Sequence, residues 1–173
     1  MWRSPMTRLT SMPPAAVDSI RVTTREAPRV GTSRHPILVA LVSVELGLLA
    51  LQYVLGMFVN LYVTLPSPIL GMYGMMQLMF LPGMGAVMAH MLTGMVLGAL
   101  ALLTFAASAL SRNTLLLVTT GGTFAAVLGA GISGMEFLFS GQNNAFSYGM
   151  SVGFLLAFTL AFLSLLIAGG RGR

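Results

Sequence analysis

Four apolar blocks, each long enough to cross a lipid bilayer, constrain this chain more than any other feature. They run over about 36–65, 84–110, 114–139 and 146–168. A helix of ~20 predominantly apolar residues spans a ~30 Å hydrocarbon core. In lipid, a helix is the one structure in which a single such segment satisfies its own backbone polar groups. The blocks therefore predict an all-α membrane protein, a four-transmembrane-helix up-down bundle over residues 35–173. Composition agrees: 56% of residues are hydrophobic and 8% are charged, against roughly a quarter charged in a soluble domain. Such a chain has too little charge to coat a water-facing surface.

The arginines give the expected orientation. Arg3, Arg8, Arg21, Arg25, Arg29 and Arg34 precede the first block, Arg112 lies between the second and third, and Arg171 and Arg173 come after the fourth. The stretches 66–83 and 140–145 carry no charge. Four spans put all nine basic residues on one side, which the positive-inside rule makes cytoplasmic. Three or five spans would divide them. The expected location is a cell membrane, multi-pass, with both termini cytoplasmic.

Residues 1–34 differ from the rest: they are rich in Arg, Ser and Thr, with four prolines and no long apolar run. Such a composition buries no core, and the reading is a disordered cytoplasmic tail. It lacks the apolar stretch of a secretory signal. Its Arg- and Ser-rich character resembles an organellar transit peptide, against which Asp18 and Glu26 argue. The loop from Leu65 to Gly83 is long and apolar, which suggests a segment lying along the outer membrane interface or re-entering it.

Close packing in lipid depends on small residues. The second block offers Ala86, His90, Gly94 and Gly98; the third Gly122, Ala126, Gly129 and Ser133; the fourth Gly149, Gly153, Ala157 and Ala161. The first block instead carries Glu45, Gln52, Gly56 and Asn60 at spacings of seven, four and four. That polar stripe is expected to face the bundle interior.

Chemistry concentrates in a few residues. Glu45 lies well inside the first span with no arginine at its depth, so it is expected to be a neutral acid, or bonded to Gln52 or to backbone. It could relay protons or bind a quinone with Gln52 and Asn60; otherwise it is an interhelical hydrogen bond. His90 and Glu136 occupy similar depths near the outer ends of the second and third spans. They could hold a metal or haem, or simply clamp two helices. Eight of the fourteen methionines fall between Met72 and Met95. With His90, Met88 and Met91 offer soft donors suited to copper, although Met is also a flexible apolar filler. His35 reads as a solvated residue at the cytoplasmic surface.

Several classes are excluded. The chain has no Cys and no Lys, and its one Asp lies in the tail. Disulfides, thiolate metal sites, a lysine-bearing phosphate loop and a Ser-His-Asp set are therefore absent. The basic tail has no aromatic interleaving beyond Trp2, which argues against nucleic acid.

The run Gln52-Tyr53-Val54-Leu55-Gly56, succeeded after a loop by His90-Met91-Leu92-Thr93-Gly94, resembles one four-helix half of the haem A synthase family. That resemblance implies His90 as a haem ligand. The fourth block departs from the pattern, because it holds no histidine and offers only Ser147, Met150 and Ser151. Haem would then need His90 with Met150, or a partner subunit. Otherwise the chain is similar to small four-helix membrane proteins, a likeness that implies no activity.

Three functional readings remain. The first is a non-catalytic accessory or structural subunit, seated in the bilayer within a larger membrane complex or a homo-oligomer. The second is a redox protein binding haem, copper or quinone through His90 and Glu136. The third is a small proton-coupled transporter or channel using Glu45.

Overall fold

A computed structural model of the chain describes residues 36–65, 74, 76, 77 and 80–170. The tail over 1–34, His35 and most of the loop over 66–83 lie outside the described residues. Within them are four long helices and no strand: α1 (Pro36–Tyr62), α2 (Gly85–Ala109), α3 (Thr114–Phe139) and α4 (Asn144–Ala168). Each is long and apolar enough to cross a membrane.

Two ends differ from the sequence expectation by more than one residue, each for a local reason. Helix α1 stops at Tyr62, three residues early, with one further bond from the Val63 N–H to the Val59 carbonyl at 3.1 Å. Leu65 precedes Pro66, and the proline ring disfavours helical geometry in the residue before it. Helix α4 starts at Asn144, two residues early, because the Asn143 side chain accepts from the Ala145 N–H at 2.9 Å. The polar turn is thus itself the helix cap.

The turn between α2 and α3 is equally specific. Arg112 takes a left-handed φ of 54°, reversing the chain in three residues. Asn113 then caps α3, its side-chain oxygen accepting from the N–H groups of Leu115 at 3.1 Å and Leu116 at 3.2 Å. Substituting a capping Asn with Ala costs about 1 kcal/mol. Asn113→Ala is accordingly expected to lower the melting temperature in detergent by a few degrees without changing helix content.

The helices form a closed ring in which α1 packs beside α2 and α4, and α3 packs beside α2 and α4; the α3–α4 interface is the most extensive. Glycines make the closest approaches there. A Cβ on Gly153 would lie 3.0 Å from the Ala130 Cβ and 3.1 Å from the Ala126 carbonyl oxygen. Not every small residue marks a seam, since Gly98 and Gly129 have open space where a Cβ would stand.

Three apolar clusters fill the interior. Leu38, Leu116 and Ala168 sit at the Pro36 end of α1. Val42, Leu49, Leu97, Ala126, Ala157 and Ala161 form the middle. At the Tyr62 end, Val87 packs with Val59, Val63, Met84, Met91 and Leu138. The exterior is apolar too, with Met95 71% and Leu110 86% exposed. Meanwhile one carboxyl and six hydroxyl side chains are buried among eleven apolar ones, although such polar groups are mostly exposed in water-soluble proteins.

Candidate functional site

The buried polar groups fall into two sets. The first set lies toward the Pro36 end and consists of Glu45 and six buried hydroxyls. Ser108 of α2 and Thr120 of α3 share a hydrogen bond of 2.7 Å. Ser164 of α4 donates to the Thr119 hydroxyl at 2.8 Å. Thr123 donates to the Thr119 carbonyl at 2.9 Å, and Thr120 can donate to the Leu116 carbonyl at 2.8 Å. Ser and Thr suit such positions because the helix's own carbonyls can take their hydrogens, leaving oxygen lone pairs facing the interior.

Glu45 projects from α1 into this region and is 2% exposed. Thr104 of α2 lies beside its carboxyl. The single hydroxyl hydrogen of Thr104 goes to the Leu100 carbonyl at 2.9 Å. With its hydrogen so placed the hydroxyl turns a lone pair toward Glu45; turned about its C–O bond, the same hydrogen would instead be donated to the carboxylate. The other carboxyl oxygen, Oε1, is buried and has no hydrogen-bond partner among the described residues. Between Pro36 and Gly170 the only basic residues are His90 and Arg112, and Arg112 is exposed in the α2–α3 turn.

The second set lies nearer the Tyr62 end. The Gln52 amide nitrogen stands 3.3 Å from His90 Nε2. Two glycines make room for the pair: a Cβ on Gly94 would lie 3.0 Å from the Gln52 amide nitrogen, and one on Gly56 would lie 3.1 Å from His90 Cε1. Gln52 Oε1 and His90 Nδ1 are buried and have no partner among the described residues.

The polar stripe expected on α1 holds for Glu45, Gln52 and Gly56 but not for Asn60, which is exposed. At about 100° per residue, Gln52 and Gly56 lie within ~20° of Glu45 around the helix axis, whereas Asn60 has rotated by ~60°. Gln52 bonds His90 rather than Glu45. His90 and Glu136 are not brought together: His90 turns toward α1, and Glu136 is exposed on the outside of α3. Their depths do agree, since Met91 and Leu138 share one apolar cluster.

The sulfur donors are similarly occupied with packing. Met91 belongs to that cluster, Met88 is half-buried, and Met150 lies with its sulfur 3.2 Å from where a Gly134 Cβ would stand. No three of His, Cys, Asp and Glu meet among the described residues, so the haem and copper expectations gain no support.

Sequence reasoning misses the hydroxyl set. Its signal is nonetheless present as Thr119, Thr120 and Thr123, one helical turn wide, facing Ser and Thr residues on the neighbouring helices. Glycine spacing is the stronger pattern in these segments and masks it. Compared with models of protein families, with curated proteins and with solved structures, the chain finds no match.

Proposed function

We propose that this chain is a multi-pass membrane protein that conducts protons through its interior, with Glu45 as the proton-binding group. Four helices with apolar exteriors, each long enough to span the hydrocarbon core, support insertion in a bilayer, as an up-down bundle. The arginine distribution supports a cell membrane with both ends cytoplasmic. The observation that carries the activity is the Glu45 carboxyl, 2% exposed, with one oxygen that has no hydrogen-bond partner among the described residues.

An ionised carboxylate at membrane depth costs at least about 2.5 kcal/mol without a counter-charge. A proton removes that cost and gives the carboxyl a hydrogen of its own to donate. Glu45 therefore holds a proton at rest and gives it up only when water or another acceptor reaches it. An interhelical clamp alone would leave no use for the bare Oε1.

The test is passive proton flux into liposomes containing a trapped pH-sensitive dye, driven by a pH step. Wild-type protein is expected to conduct. Glu45→Gln keeps the shape and hydrogen bonding of the side chain but cannot carry a proton, and should lower the flux at least about tenfold. Equal flux in the two proteins, or none above empty liposomes, would overturn the proposal and leave the accessory-subunit reading in its place.

A further inference from the structure

The apolar layer between the two polar sets decides how a proton would travel, given the conducting role of Glu45 on which this route rests. On α1 the order is Glu45, Leu49, Gln52; on α2 the partners run Thr104, Leu97, Gly94, His90. Leu49 is 1% exposed and Leu97 is 3% exposed, and both belong to the middle apolar cluster. Glu45 and Gln52 are seven residues apart, or ~10 Å along the helix axis. A hydrogen bond spans ~3 Å, so direct transfer across the leucines is excluded and a bridge of water is needed.

The Gln52–His90 pair has a bonding arrangement for each charge state. An amide nitrogen has only hydrogens to offer, so His90 Nε2 accepts, and the neutral ring carries its proton on Nδ1. Gln52 Oε1, one of the unpartnered atoms, becomes useful when Nε2 is protonated. Rotating the amide by about half a turn brings that oxygen to the new N–H. Uptake of one proton at Nε2 gives an imidazolium, loss of one proton from either nitrogen restores the neutral ring, and the proton lost can convert the Glu45 carboxylate to the acid. No other titratable side chain intervenes among the described residues: Tyr53 and Tyr62 of α1, Arg112 of the α2–α3 turn, Glu136 of α3 and Tyr148 of α4 are all exposed.

We propose that Gln52 and His90 form a second proton station, which exchanges with Glu45 only when the layer of Leu49 and Leu97 is transiently wetted. Apolar constrictions of this kind gate by dewetting. The layer thus sets the resting leak, and the two stations hold the proton on either side of it.

Three measurements in the same liposomes test this. Leu49→Ala or Leu97→Ala opens the layer and should raise flux about tenfold, while Leu49→Ile, which keeps the volume, should leave it near wild type. Adding Glu45→Gln to Leu49→Ala should return flux to the Glu45→Gln level. His90→Phe should lower flux as far as Glu45→Gln does. Wild-type flux in both alanine variants would overturn the gate, and wild-type flux in His90→Phe would overturn the second station. Either result, with Glu45→Gln still inactive, would leave the conducting role of Glu45 standing. Nitrogen-15 spectra of the His90 ring in the intact wild-type protein do not depend on any variant folding. A neutral ring protonated on Nδ1 is expected, and one protonated on Nε2 would overturn the proposed amide arrangement.

Discussion

Gly153→Val is expected to keep the chain from reaching its packed state. The position faces the α3–α4 crossing, where a Cβ would stand 3.0 Å from the Ala130 Cβ, 3.1 Å from the Ala126 carbonyl oxygen and 3.2 Å from the Ala130 nitrogen. Two of those three atoms are backbone, which cannot rotate away as a side chain would. The two helices must therefore separate, and they form the most extensive interface in the protein. Overpacking typically costs ~1–3 kcal/mol, and a valine against backbone should cost about 3 kcal/mol or more. The expected readout is loss of the monodisperse detergent peak or of a cooperative thermal transition. Gly129→Val serves as the control, because its Cβ would meet open space. A wild-type transition in Gly153→Val would show that the crossing is looser than these distances require.

Leu116→Ala has the second-largest expected effect. Leu116 is fully buried and meets Leu38 of α1 and Ala168 of α4, with Ala107 of α2 beside them. This cluster thus joins all four helices at the Pro36 end. Leu→Ala in a water-soluble core costs ~2–5 kcal/mol, of which part is transfer from water and part is the cavity left behind. For a bundle in lipid the unfolded reference is itself apolar, so the transfer part largely vanishes and the cavity part remains. The expected loss is therefore near the lower bound, about 2 kcal/mol. It can be read from reversible unfolding in mixed detergent. Leu115, the neighbouring residue, is 60% exposed, and Leu115→Ala should change stability by less than ~0.5 kcal/mol. Equal losses in the two variants would sink the assignment of Leu116 as the shared core contact.

Much of this architecture is legible in the sequence because hydrophobic length is an unambiguous signal. The third block predicts a helix over 114–139, and α3 occupies Thr114–Phe139. The small-residue spacing points to Gly122, Gly149 and Gly153 as contact positions, and each lies against a neighbouring helix. Spacing does not supply rotation about the axis over longer stretches, which is why Asn60 reads as an inner-face residue and Glu136 as a neighbour of His90. Small errors in angle accumulate along a helix, and equal depth says nothing about direction. The hydroxyl set is harder still. Ser and Thr can satisfy themselves on their own helix, so their presence in an apolar segment does not announce what they face. Glu45 is legible because a carboxyl in such a segment has no equivalent way to satisfy itself.

In the proposed bilayer setting the depth of Glu45 has an electrical consequence. It stands nine residues after Pro36 in a helix of 27 residues, or ~14 Å along a helix of ~40 Å. If the voltage across the membrane falls evenly along that length, a proton arriving from the Tyr62 end crosses roughly two-thirds of it. A full crossing is worth ~2.3 kcal/mol per 100 mV, so reaching Glu45 is worth ~1.5 kcal/mol per 100 mV. Occupancy of this one carboxyl would then report membrane potential as well as acidity, and a resting voltage would load it from one side in preference to the other.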